Sequence, residues 1–102
     1  MTHDLRVPAT APVLRCHERP TALLSDAAKS AGVAVVDPGL IPASEDFANV
    51  AELVPTGFIP VGAGGAGCGA DHAPDFDIDE RAIGLTAEIL ARAAMTRLSR
   101  DD

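Results

Sequence analysis

At 102 residues the chain suffices for one small domain, and a domain of that size buries only a modest share of its surface. A net charge of −7 with eight scattered Lys and Arg residues excludes nucleic acid and an anionic membrane as expected partners, since both need clustered cations. Three Phe and no Trp or Tyr leave Ala, Val, Leu and Ile to fill the core. The two cysteines, Cys16 and Cys68, imply no disulfide framework. No apolar run reaches spanning length and no leader-like apolar segment opens the chain, so a cytoplasmic protein with reduced thiols is expected.

Residues 1–11 lack periodicity and read as a loose arm, leaving 12–102 as the folded portion. Residues 12–19 alternate weakly and read as a short strand or an extended lead-in, with Cys16 inward and His17 outward. Pro20 then opens a helical pattern with an apolar stripe of Leu23, Leu24, Ala27, Ala28 and Ala31, and Gly32 is the expected stop. The β-branched run 33–36, bounded by Gly32 and Asp37-Pro38-Gly39, reads as a buried strand.

Ser44 is a good helix cap, and Glu45 and Asp46 place negative charge at the positive end of a helix dipole. Phe47, Val50, Ala51 and Val54 give that helix an apolar face before Pro55 and Gly57 end it. Residues 58–61 read as a second short strand, with Pro60 confining it to an edge. A long loop from Gly62 to about Ile78 holds five Gly within residues 62–69. Asp79 caps a last helix over roughly 80–98, lined by Ile83, Ala87, Leu90, Ala94 and Leu98. Helix, strand, helix, strand, helix is the order of an α/β fold with short parallel strands and crossover helices.

Several residues have the types that carry chemistry. Residues 62–67 match G-x-G-x-x-G after a predicted strand, but a dinucleotide site needs a helix to follow, and Gly69 and Pro74 oppose one. Cys68 and His72 are two possible ligands where a catalytic zinc takes three. As nucleophile and base they would lack a third, orienting group. From spacing alone, Glu45 and Asp46 are helix-start charge.

Three segments together resemble one family. Ser44-Glu45-Asp46-Phe47 resembles the S-E-D-F signature of metal-dependent amidohydrolases, the aminoacylases, hippurate hydrolases and auxin-conjugate hydrolases. Residues 54–64, VPTGFIPVGAG, resemble that family's V-P-G-a-f-x-x-x-G-x-G stretch, and 71–80, DHAPDFDIDE, its L-H-x-P-x-F-D-x-D-E segment. The resemblance implies the C-terminal portion of a zinc-peptidase-like αβα catalytic domain. It implies that His72 is a ligand of a catalytic pair of divalent metals (zinc, manganese, cobalt or nickel). Asp71 or Asp75 would orient its other nitrogen. It places Glu45, Asp46 and Gly64 at a possible pocket. The family's remaining ligands, its general-base glutamate and its lid domain have no counterpart here. Thr56 also interrupts the usual Pro-Gly, and Asp71 replaces an apolar residue. The expectation is a partial amidohydrolase, inactive alone, that pairs with a complementary N-terminal chain or self-associates. A non-catalytic binding module is the alternative.

Overall fold

The computed structural model describes residues 2–8 and 11–99. They form three helices, α1 (Glu18–Ser30), α2 (Ala48–Ala51) and α3 (Arg81–Leu98). The predicted α/β fold is overturned: among the described residues the only β pairing is an isolated parallel bridge between Gly69 and Phe76. Runs 33–36 and 58–61 lie outside the helices and carry no ladder. The reason is physical. A β-branched run favours extended backbone, but a strand exists only when a neighbour completes its hydrogen bonds, and neither run has one.

α1 begins at an extended N-cap, His17, and Pro20 falls in the first turn, where an N–H would have no intrahelical partner. Its end is a Schellman motif. Gly32 adopts φ +79°, its N–H donates to Lys29 O (3.0 Å), and the Val33 N–H donates to Ala28 O (3.1 Å).

α2 is shorter than its apolar pattern. The Glu45 carboxylate, not the Ser44 hydroxyl, serves its entry by accepting the Phe47 N–H at 3.0 Å. After Ala51 the backbone continues in turns, and Pro55 bars the helix from extending through Val54. The Phe47 ring meets that of Phe58 with centroids 5.8 Å apart, tying α2 to the second run.

The N-cap of α3 is Glu80, one residue after the expected cap, yet Asp79 still serves the helix: its Oδ1 accepts the Arg81 N–H at 3.0 Å. The core is the α1–α3 contact, where Ala27, Ala28, Ile89 and Ala93 are buried and Leu23, Leu24, Ala31, Val33, Ile59 and Leu85 pack around them. The α1 stripe is as expected. On α3 the inward face is Leu85, Ile89 and Ala93, and the stripe containing Ile83, Leu90 and Leu98 faces outward, each more than half exposed. Alanines on both helices allow close approach but bury little area each, and among the described residues Ile89 is the one large side chain fully enclosed.

The chain is a plate of 64 × 38 × 19 Å with a radius of gyration of 17.2 Å. A compact domain of this length has about 13 Å. The difference reflects a core of few residues, with apolar side chains such as Val36, Leu40 and Leu53 at the surface.

Candidate functional site

The glycine-rich segment 62–79 closes on itself. The Asp79 N–H donates to Ala63 O at 2.7 Å, which joins the two ends of the loop at the start of α3. Inside it, the Gly69 N–H donates to Asp75 O (3.2 Å), Ala73 N–H to Ala70 O (2.9 Å) and Phe76 N–H to Ala73 O (3.0 Å). Gly69 is required sterically, since a Cβ there would lie 2.5 Å from both Asp75 O and Asp75 Oδ1. Gly67 adopts φ +90°, which a side chain would resist.

His72 sits at the outer tip of this loop. It is the one non-glycine residue with positive φ (64°) among the described residues. A left-handed histidine is uncommon, and its backbone is held there by the turns on either side. Its imidazole is almost wholly solvent-exposed, with Nε2 3.5 Å from Asp71 Oδ2. Asp71 is therefore the nearer of the two candidate carboxylates, at ion-pair distance, while Asp75 faces Gly69 instead.

The other expected site residues lie apart from it. Glu45 is half-buried, lines a small cavity with Leu24, Phe47 and Phe58, and spends one carboxylate oxygen on the Phe47 N–H. Asp46 is exposed, and its carbonyl accepts the Asn49 side-chain amide at 3.0 Å. Gly64 is exposed with open space where a Cβ would stand. Cys68 is a half-buried free thiol, and no hydrogen bond joins it to His72 among the described residues. Cys16, expected inward, is exposed.

Two features at the edges of the site had no signal in the sequence beyond their residue types. Asp79 is bound by Arg81 through its guanidinium and its backbone N–H, and these hydrogen bonds pull the carboxyl down from 3.8 to about 2. The same pair raises the Arg81 pKa. His17 is exposed, as expected of a surface side chain, and its Nδ1 also accepts the N–H of Thr56, 39 positions away.

Among the described residues no group of three or more His, Cys, Asp or Glu side chains converges to hold a metal ion. A catalytic zinc takes three protein ligands, and His72 with Asp71 beside it falls short of that number. No helix among the described residues is long and apolar enough to cross a membrane.

No curated protein and no solved structure matches the chain. The sequence model of peptidase family M20/M25/M40, a family of generally metal-dependent hydrolases, matches residues 2–96. That match spans nearly the whole chain, including the S-E-D-F segment and the His72 loop, and the chain belongs to peptidase family M20/M25/M40.

Proposed function

We propose that the chain is part of a metal-dependent amidohydrolase of the aminoacylase and hippurate-hydrolase type, inactive alone and completed by a complementary chain. N-acyl amino acids or similar amides are the substrate class. The observation that carries this reading is His72: an imidazole presented to solvent, backed by Asp71, on a loop whose backbone is fixed at both ends. A histidine held out with an orienting carboxylate suits a metal ligand whose companions come from elsewhere. The motif agreement in Ser44-Glu45-Asp46-Phe47 and in residues 71–80 supports the aminoacylase-like assignment.

When bound, a divalent metal would polarise the amide carbonyl and acidify water. This chain's own residues would contribute the His72 nitrogen and, through Asp71, its orientation. The second reading, a non-catalytic module that pairs with a full-length relative, is favoured by one observation, the absence of a ligand cluster among the described residues.

The test is metal content and N-acyl-amino-acid hydrolysis of the purified chain, alone and mixed with the N-terminal portion of an intact family member. The composite hydrolase requires neither metal nor activity alone and both on mixing. A mixture that forms a complex yet holds no metal would leave the binding module.

A further inference from the structure

The Thr56 N–H donates to His17 Nδ1 at 3.1 Å and joins two segments 39 positions apart. A backbone amide can only donate, so Nδ1 carries no proton and the ring is in its neutral form. Thr56 is buried, and its hydroxyl has no partner among the described residues. Next to it, Gly57 lies so close to the first turn of α1 that a Cβ would stand 2.8 Å from Pro20 C. Gly57 and Phe58 also line the cavity of about 390 Å³ that Glu45 and Phe47 border. His17 itself is exposed, so the ring exchanges protons with solvent.

From this geometry we infer that His17 is a proton-operated clamp. Its neutral ring holds Thr56 and Gly57 against α1, and protonation lets them leave, opening the cavity that Gly57 and Phe58 line. A proton on Nδ1 turns the acceptor into a donor that faces a donor. The buried Thr56 N–H is then without a partner, which is costly. Only the backbone bond from His17 N–H to Thr56 O, at 2.7 Å, remains to hold the contact. His17 is the N-cap of α1, and the positive end of the helix dipole also opposes a cation there. The fold thus favours the neutral ring. Its contribution is complete above the histidine range and is lost as pH falls through it, between about pH 8 and 5. The charged and titratable groups around the clamp are Arg15, Cys16, Glu18 and Arg19 on its own segment, Glu52 on the segment opposite and Glu45 at the cavity. None forms a hydrogen bond or ion pair with the imidazole among the described residues. The clamp is independent of the composite-hydrolase reading.

Amide exchange of the full chain tests this, followed by NMR between about pH 8 and 5 and corrected for the intrinsic pH dependence of exchange. The parent is compared with His17→Asn, whose carbonyl accepts without titrating and which keeps every other charged group. Protection of the Thr56 amide should fall at least about fivefold in the parent as pH drops and hold in His17→Asn, while the Ile89 amide of α3 stays protected in both. The contact between the Phe47 and Phe58 rings, 5.8 Å apart at their centroids, should weaken together with Thr56 protection in the parent. An equal fall in both proteins, no fall in the parent, or a parallel fall at Ile89 would overturn the clamp. A ring contact that survives the release of Thr56 would overturn the opening of the cavity. One measurement needs no variant: in the parent the His17 ring and the Thr56 amide must titrate with a single midpoint, and separate midpoints would also overturn the clamp.

Discussion

His17 and Thr56 hold each other through two hydrogen bonds: the His17 N–H donates to Thr56 O at 2.7 Å, and the Thr56 N–H donates to His17 Nδ1 at 3.1 Å. The pair pins the start of α1 to the segment leaving α2. Thr56 is buried, so removing the imidazole strands its N–H. His17→Ala should cost about 1 kcal/mol, a fall of about 4–8 °C in Tm. His17→Asn, whose carbonyl can accept in place of Nδ1, should recover part of it. Thermal unfolding of the three proteins checks the order.

The Thr56 hydroxyl, in contrast, is buried with no partner among the described residues. Thr56→Val keeps the shape and removes the orphaned oxygen. It should raise stability by up to about 1 kcal/mol, measured by denaturant titration, where a loss of stability would mean that the hydroxyl is paired in solution.

Two glycine substitutions should act in opposite directions. A Cβ on Gly57 would meet Pro20 C at 2.8 Å and Thr21 N at 2.9 Å, both backbone atoms of α1 that cannot swing aside. Gly57→Ala should destabilise by about 1–3 kcal/mol. Gly84 lies within α3 with open space beside it, so Gly84→Ala should stabilise by about 0.5–1 kcal/mol through helix propensity alone. Far-UV circular dichroism melts separate the two.

The α1–α3 core hangs on Ile89. Truncating it to Ala removes the one large buried side chain of the cluster, at a cost of about 2–5 kcal/mol. For so small a core that is a large share of the total, and Ile89→Ala should lose the cooperative melt altogether.

Acid should loosen the start of α3. The Asp79 carboxyl is held at about 2 in the fold against an ordinary value of 3.8, chiefly by the Arg81 side chain and then by its backbone N–H. A depressed carboxyl stabilises the fold above its unfolded value, and that contribution fades as pH falls from about 3.8 toward 2. Asp79→Asn should lack this component, so its helix content should vary less than the parent's across that window. Equal acid profiles would assign the loss to other carboxylates.

How far the residues spoke for themselves depended on whether the needed partners were local. α1 was legible because its stripe, its first-turn Pro20 and its Gly32 stop all act within a few residues. The range of α3 was legible too, but not its inward face. Leu85–Ile89–Ala93 and Ile83–Leu90–Leu98 are both apolar, and only α1's position decides between them. Residues 33–36 and 58–61 carried a strand signal that the fold does not realise, because a ladder needs a neighbour that local pattern cannot provide. At the candidate site, His72 and its carboxylate Asp71 were named from the 71–80 segment. The left-handed backbone at His72 and the Ala63–Asp79 closure emerge only from the folded loop.

The most direct test of the central claim is metal retained by the mixture with the N-terminal portion of an intact family member, measured for the parent chain and for His72→Ala. Metal is expected in the parent mixture, with a loss of about tenfold or more in affinity when the imidazole is removed and the chain's helix content unchanged, since the His72 side chain is almost wholly exposed. Equal metal in both mixtures would contradict it, because the site would then be complete without any ligand from this chain.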